Sequence, residues 1–130
     1  MDKKRILIVD DESGFTRLMK LTLERTGKFE VREQNDGTKA LEIARQFRPD
    51  LILLDIVMPQ IDGGDVARQL QADPTLKKAK IVFLTAIVSN KEASPGSLIG
   101  GFPFMAKPVS LDALVKFMEA NLAGTASAPV

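Results

Sequence analysis

Short runs of consecutive apolar residues, each ended by a polar or turn-forming residue, constrain the fold of this chain more than any other feature. The runs cover residues 6–9, 51–54, 81–84 and, more weakly, 102–106. Ile, Leu and Val without alternation of apolar and polar positions are typical of strands that are buried on both faces, as in a parallel sheet. A fifth segment, 29–34, has polar residues around Val31 and is therefore expected to be a more exposed edge strand.

Segments with helical spacing lie between and after these runs. In four segments, residues recur at intervals of three and four positions, as expected for one face of a helix. These are Phe15, Leu18, Met19 and Thr22; Ala40, Ile43, Ala44 and Phe47; Val66 and Leu70; and Leu111, Leu114, Val115, Met118 and Leu122. Gly27, Pro49 and Pro74 follow three of these segments as helix ends. Strands that alternate with helices predict right-handed βαβ crossovers, hence an α/β fold whose parallel sheet is covered by helices on both faces.

Residues 90–101 depart from this pattern. A fourth crossover helix is expected there, yet the segment contains Pro95, Gly96, Gly100 and Gly101, which are poor residues for a helix interior. We expect the segment to be short-helical or mobile. The 130 residues are close to the usual size of one domain. We assign 1–123 to that domain and the small, mostly polar residues 124–130 to a flexible tail or the beginning of a linker.

The sequence contains neither Cys nor His, and these two absences exclude several classes of chemistry. The chain has no Cys, which excludes disulfides, zinc-thiolate sites, iron–sulfur clusters and cysteine nucleophiles. It has no His either, which excludes Ser-His triads, histidine metal sites and phosphohistidine carriers. Any reaction must therefore use carboxylates, hydroxyls, lysines and arginines.

The charge balance and the shortness of the apolar runs indicate what the chain does not bind. Lys and Arg number 18 against 17 Asp and Glu, and the net charge of +1 gives no general attraction to nucleic acid or to an anionic membrane. No segment approaches the ~18 apolar residues of a transmembrane helix. The apolar run at 6–9 is too short for the core of a signal peptide. A cytoplasmic protein is expected.

Polar side chains follow the predicted strands at the edge where open α/β sheets bind ligands, outside the carboxyl ends of the strands. Asp10 and Asp11 end the first strand, Asp55 the third and Thr85 the fourth, and Lys107 follows the fifth. Two carboxylates about 5 Å apart repel by roughly 3 kcal/mol at an effective dielectric of ~20, so such a cluster implies a cation. Oxygen ligands without nitrogen or sulfur suit Mg²⁺. The sequence therefore predicts a magnesium site at this edge.

The order of these motifs resembles the receiver domains of bacterial two-component response regulators. The matching segments are Ile-Leu-Ile-Val-Asp-Asp-Glu at 6–12, Pro-Asp-Leu-Ile-Leu-Leu-Asp-Ile-Val-Met-Pro at 49–59 with Gly63, Leu-Thr-Ala at 84–86, and Lys107-Pro108. The resemblance extends over about residues 4 to 122, nearly the whole chain. It implies a doubly wound, five-stranded parallel sheet of the flavodoxin-like order 2-1-3-4-5, with helices on both faces.

The resemblance also implies roles for residues at the strand ends. Asp55 would be the phosphoacceptor, a carboxylate nucleophile that forms an acyl phosphate. Asp11 and Asp55, with the backbone carbonyl of Val57, would ligate Mg²⁺ directly, and Asp10 would act largely through a bound water. The metal would neutralise charge on the transferring phosphoryl oxygens.

Four further residues take roles from the same resemblance. Thr85 would hydrogen-bond one phosphoryl oxygen and Lys107 would pair with another. The Lys107–Pro108 bond would be cis, which would help to aim the lysine into the site. Phe104 matches the switch aromatic of the family and is equally interpretable as a core residue. It lacks the phenol hydroxyl of a tyrosine, so it could move by packing but could not make an outward hydrogen bond.

These expectations describe a phosphorylation-driven switch that catalyses only its own phosphorylation and dephosphorylation. Since the chain has no His, the phosphoryl group would come from a small-molecule donor or from a phosphohistidine on a sensor histidine kinase or phosphotransfer protein. An unidentified downstream protein would recognise the switched surface. Direct binding to nucleic acid or to a membrane is not expected.

Two alternatives share parts of this pattern. An aspartate-nucleophile phosphohydrolase also forms an acyl phosphate, but it typically has a second carboxylate two residues after the nucleophile, where this chain has Val57. A flavodoxin-like flavin-binding protein would have a Ser/Thr/Gly-rich phosphate loop and aromatic rings for the flavin. Here the loop is Asp10-Asp11-Glu12, and Trp and Tyr are both absent from the sequence.

Overall fold

Strands and helices alternate along the chain in the computed structural model, which describes residues 3–86, 98–99, 101–107 and 110–123. The strands are β1 (Lys4–Val9), β2 (Phe29–Gln34), β3 (Leu51–Leu54), β4 (Lys80–Thr85), β5 (Leu98–Ile99) and β6 (Phe102–Ala106). The helices are α1 (Ser13–Arg25), α2 (Ala40–Phe47), α3 (Gly63–Ala72) and α4 (Leu111–Ala123), and short 3₁₀ turns cover Gly37–Lys39 and Pro74–Leu76. Within these described ranges, no helix has the length and apolar character needed to cross a membrane.

The strands form one sheet in the order β2-β1-β3-β4-β6-β5. Neighbours are parallel except β5 and β6, which pair antiparallel with Ile99 opposite Phe102. The predicted α/β fold, with five parallel strands in the order 2-1-3-4-5, is confirmed, and β6 is the fifth parallel strand. The expected edge strand is β2, in which Phe29 and Val31 are buried and the residues after each of them are exposed.

Apolar residues of the central strands fill both faces of the sheet. One face buries Leu7, Val9, Ile52 and Leu54 against α2 and α3. The other buries Ile6, Ile8, Leu51 and Leu53 against α1 and α4. Because each strand is covered on both sides, its apolar residues need not alternate with polar ones. Full burial of one such side chain stabilises the fold by about 1.5–3 kcal/mol.

The buried face of α1 differs from the predicted one. The sequence spacing places Leu18 on the apolar face, but its side chain is 59% exposed, and the buried residues are Thr16, Met19 and Leu23. Thr16 lies inside because its hydroxyl is hydrogen-bonded to Glu33 at 2.7 Å. A polar group with a partner is buried at little cost, so the helix turns a threonine rather than a leucine toward the sheet.

The segment 90–101 lies mostly outside the described residues, so its expected short-helical or mobile character stays a prediction. Its described end forms β5 and a turn in which Gly101 has a φ of 91°, a conformation that glycine adopts without strain. The turn leads into β6, whose pairing with β4 begins at Phe104 opposite Phe83. Pro103, one residue earlier, has no N–H to donate to a ladder.

Candidate functional site

The carboxyl ends of four parallel strands place the predicted site residues side by side. Asp10 follows β1 and Asp55 follows β3, and the N–H of Asp55 donates to the carbonyl of Val9 at 3.0 Å. Thr85 ends β4, and its carbonyl accepts from the N–H of Lys107 at 2.9 Å. The strand register therefore fixes the main chain on both sides of the site.

Three carboxylates form a cluster at this edge. Asp10, Asp11 and Asp55 each place one oxygen so that these oxygens all lie within 4.8 Å of one another. Asp10 is 2% exposed and Asp55 8% exposed, whereas Asp11 is open to solvent. At that separation a pair of charges repels by roughly 3 kcal/mol at an effective dielectric of ~20. The cluster has the donor set of a hard divalent cation such as Mg²⁺.

Lys107 partly neutralises this cluster. Its Nζ lies 2.5 Å from Oδ2 of Asp10, 3.6 Å from Oε1 of Glu12 and 3.9 Å from Oδ2 of Asp55. The ammonium also lies 4.2 Å from the ring centroid of Phe15, a cation–π contact. Burial by itself lowers the pKa of Lys107, but the hydrogen bond and charge of Asp10 and the nearby carboxylates outweigh it and raise that pKa.

The surroundings of Asp55 oppose its ionisation. Burial raises the pKa of this carboxyl, and the charge of Asp10 raises it further. Lys107, the hydroxyl of Thr85 and the backbone of Val57 act in the opposite direction without reversing the shift. A cation in the cluster would favour the ionised, nucleophilic form of Asp55.

The loop after β3 shapes the wall beside Asp55. The N–H of Gly63 donates to the carbonyl of Ile56 at 2.8 Å, which draws the start of α3 against the end of β3. A Cβ at Gly63 would lie 2.2 Å from the carbonyl oxygen of Asp55, so only glycine fits there. Above the cluster a cavity of about 440 Å³ opens, lined in part by Asp11, Val57 and Thr85. Its size and lining suit a small anion held by a metal and a lysine.

The comparisons with known proteins agree with this geometry. Residues 6–119 match the family model described as "Response regulator receiver domain". The chain belongs to the response regulator receiver domain family. The α/β sheet is thus that of a signalling module, and the phosphohydrolase and flavodoxin-like alternatives are not needed to account for the chain.

Curated relatives of this receiver domain are response regulators. The chain is 40% identical to the response regulator PleD of Caulobacter vibrioides over 107 residues, 81% of this chain and 23% of PleD. It is 36% identical to the DNA-binding response regulator MtrA of Mycobacterium tuberculosis over 120 residues, 92% of this chain and 51% of MtrA. It therefore spans about half of MtrA and less than a quarter of PleD.

Solved structures show the same receiver fold. Chemotaxis protein CheY4 of Vibrio cholerae superposes with a TM-score of 0.78 at 27% identity, over 91% of this chain and 98% of that one. The N-terminal receiver domain of RstA from Klebsiella pneumoniae gives a TM-score of 0.78 at 25% identity, over 92% and 99%.

The structure brings together most of the site residues that the sequence singles out, but not all of them. Phe104 lies apart, 8% exposed, in the core cluster on the α2 and α3 side of the sheet. This is the position that its interpretation as a core residue predicts, and a switching role stays a prediction. Pro108 lies outside the described residues, so the expected cis bond is not tested.

Several residues near the site were not anticipated. Phe15 under Lys107 was interpreted only as part of a helix face, and its contact with the ammonium depends on the packing of α1 against the site. Glu33, just before the end of β2, and Asn35, just after it, belong to no recognised motif. Both contact Thr16, and Asn35 also contacts the main chain of Asp10. Asn and Glu at a strand end are too common for the sequence to distinguish such contacts.

Proposed function

We propose that this receiver domain takes a phosphoryl group onto Asp55 with the help of Mg²⁺ and thereby switches a surface that a partner protein recognises. The observation that carries the proposal is the cluster of Asp10, Asp11 and Asp55 beside Lys107. Asp11, Asp55 and Lys107 also line a cavity of about 440 Å³. The carboxylates of Asp11 and Asp55, with the carbonyl of Val57, would hold the metal, and Asp10 would contribute through a water.

The transfer is a displacement at phosphorus. An oxygen of the Asp55 carboxylate attacks the phosphoryl group, a new O–P bond forms, and the bond from phosphorus to the donor breaks with its electron pair leaving on the donor atom. Mg²⁺, when bound, supplies charge neutralisation on the phosphoryl oxygens. The product is an acyl phosphate on Asp55. Because the chain has no His, it offers no imidazole to protonate the leaving group.

Lys107 and Thr85 would recognise the phosphoryl group. Lys107 is hydrogen-bonded to Asp10 and lies 3.9 Å from Asp55, so a small movement would transfer its ammonium from the carboxylate to a phosphoryl oxygen. The Thr85 hydroxyl already interacts with the Asp55 carboxyl and would donate to a second oxygen. Both contacts form only after phosphorylation and are charge-assisted, which makes them suitable to drive a switch. Phe104 would respond by repacking as Thr85 moves.

The same chemistry indicates which protein would donate the phosphoryl group and which kind of partner would bind the switched surface. A phosphohistidine on a sensor histidine kinase or phosphotransfer protein is the macromolecular donor that fits a chain without His. A downstream protein, rather than nucleic acid or a membrane, would read the switched face. We place the domain in the cytoplasm, with 1–123 as the receiver and 124–130 as a tail or linker, and a cis Lys107–Pro108 bond beside the site.

Incubation with Mg²⁺ and acetyl phosphate, followed by the mass of the intact protein, tests this proposal. The parent should gain one phosphoryl group, and the gain should disappear in Asp55→Ala and in the presence of EDTA. Asp65→Asn is a matched control, because this exposed carboxylate lies in the first turn of α3 and is not part of the cluster. Phosphorylation that persists in Asp55→Ala, or that proceeds unchanged in EDTA, would contradict the proposal.

A further inference from the structure

The hydrogen-bond ladder between β1 and β2 ends beside the acidic cluster, where side chains replace a main-chain bond. The N–H of Asp10 donates to the carbonyl of Gln34 at 3.1 Å, as a parallel ladder requires. The next bond of such a ladder would run from the N–H of Asp36 to the carbonyl of Asp10. Instead, the N–H of Asp36 donates to Oε1 of Gln34 at 3.0 Å. The ladder therefore offers the Asp10 carbonyl no main-chain donor from Asp36.

The side chain of Asn35 takes the place of that donor. Its Nδ2 donates to the carbonyl of Asp10 at 2.8 Å and to Oγ1 of Thr16 at 2.9 Å. One amide group thus joins the end of β1 to the first turn of α1. These two elements flank the loop that carries Asp11.

Thr16 anchors this amide from the helix side. Thr16 is fully buried, and its hydroxyl lies 2.7 Å from Oε1 of Glu33 and 3.2 Å from the carbonyl of Ser13. A hydroxyl has one proton to donate, and the shorter distance favours the carboxylate as its acceptor. An oxygen lone pair of Thr16 then remains to accept from Asn35. Glu33 is held in turn by Nε of Arg17 at 3.3 Å.

The loop needs such support because its own side chains repel one another. Asp10 Oδ1 accepts a hydrogen bond from the N–H of Glu12 at 3.0 Å, and Asp10 Oδ2 accepts one from Nζ of Lys107. The N-cap of α1, Glu12, makes no capping hydrogen bond with its side chain. The main chain of Asp10 is therefore held from the β2 side, by Gln34 and by the amide of Asn35.

We propose that Asn35 is a positioning residue that sets the affinity of the acidic cluster for Mg²⁺ by fixing the main chain of Asp10, with Thr16 as its anchor. This inference rests on the proposed function, since it assumes that the cluster holds the metal. Outer groups that orient metal ligands typically change metal affinity by about 10- to 100-fold when they are removed. A partner that acts through the main chain belongs at the lower end, so we expect about a tenfold loss.

If Asn35 had only a structural role, its replacement would not lower Mg²⁺ affinity more than the loss of a comparable hydrogen bond elsewhere. Asn121 makes a similar bond, from Nδ2 to the carbonyl of Phe117 at 2.9 Å, and this bond lies within α4. Asn121→Ala is therefore a matched control, in which an amide-to-carbonyl bond is lost without any contact to the site. If Asn35 only stabilises the fold, Asn35→Ala and Asn121→Ala should behave alike.

The affinity for Mg²⁺ is measured by titration with Mg²⁺ alone, monitored through the amide NMR signals of Asp11 and Glu12. Stability is measured by thermal unfolding in EDTA. Asn35→Ala should bind Mg²⁺ about tenfold more weakly than the parent, and Thr16→Val, which keeps the buried shape, should change affinity in the same direction by a smaller factor. Asn121→Ala should bind within twofold of the parent.

Two results would overturn the inference, and they are distinguishable. If the parent binds Mg²⁺ while Asn35→Ala and Thr16→Val bind equally well, the positioning role is wrong and the proposed function stands. If the parent binds no Mg²⁺ at this loop, the proposed function fails and the positioning role fails with it. Should Asn35→Ala not fold, the affinity of Thr16→Val relative to Asn121→Ala decides.

Discussion

Replacing Asp55 with Asn should make the metal-free domain more stable, because the carboxylate is in an environment that opposes its charge. Asp55 is 8% exposed, and burial, followed by the charge of Asp10, raises its pKa above the ordinary 3.8. Asn has nearly the same shape and no charge, so the substitution removes both penalties while the packing against Thr85 stays similar.

The magnitude follows from opposing charge effects. At a dielectric of ~20, Asp10, which has an oxygen within 4.8 Å of an Asp55 oxygen, repels Asp55 by at least roughly 3 kcal/mol, and Lys107 attracts it by roughly 4 kcal/mol at 3.9 Å. These effects nearly cancel, so the cost of burying the charge decides the sign. A net gain of about 1 kcal/mol is expected from removing the buried charge. In a domain of this size, that gain raises Tm by about 4 °C.

Thermal unfolding in EDTA at pH 7 and low salt measures this gain. The difference between Asp55→Asn and the parent should shrink as the pH falls through the raised pKa of Asp55 toward 3.8, because the parent then becomes protonated at that position. Added Mg²⁺ should stabilise the parent more than the variant. A Tm for Asp55→Asn below that of the parent, in EDTA at pH 7, would show that the charge of Asp55 does not destabilise the metal-free fold.

Three further substitutions test other parts of the structure. Leu53→Ala empties a position that is 1% exposed and should cost about 2–5 kcal/mol in urea unfolding; a cost below 1 kcal/mol would contradict the two-sided burial of β3. Gly63→Ala places a Cβ 2.2 Å from the carbonyl oxygen of Asp55, so it should lower both Tm and the yield of phosphorylated protein, and normal values of both would show that the close approach is not required. Lys107→Ala removes the cation bound to Asp10, so Mg²⁺ affinity should stay similar or rise slightly. The change in amide NMR signals on phosphorylation should diminish. A clear loss of Mg²⁺ affinity would contradict the competition between lysine and metal.

The sequence predicts the fold well where burial alone decides it. The runs at 6–9 and 51–54 are apolar at every position because β1 and β3 are covered on both faces. The face of α1 was predicted incorrectly for a reason that lies outside the helix. The buried hydroxyl of Thr16 has hydrogen-bond partners in Glu33 of β2 and in Asn35, which follows β2, and spacing within a helix cannot reveal such partners.

The site likewise has features that the sequence predicts and features that it does not. The convergence of Asp10, Asp55 and Thr85 follows from topology, since parallel strands end at one edge of the sheet. The pairing of Lys107 with Asp10, 97 positions away in sequence, depends on side-chain distances that no pattern encodes. The short strand β5 was likewise not anticipated, because two residues beside a glycine turn give no periodicity to detect.

Asp55 is expected to carry the phosphoryl group, and chemical trapping of the acyl phosphate locates that group. After incubation with Mg²⁺ and acetyl phosphate, borohydride cleaves an acyl phosphate and reduces the aspartyl carbonyl to the alcohol of homoserine, which peptide mass spectrometry detects. We expect homoserine at position 55, and none at Asp10 or Asp11. Homoserine at another aspartate with Asp55 unchanged would show that Asp55 is not the phosphoacceptor.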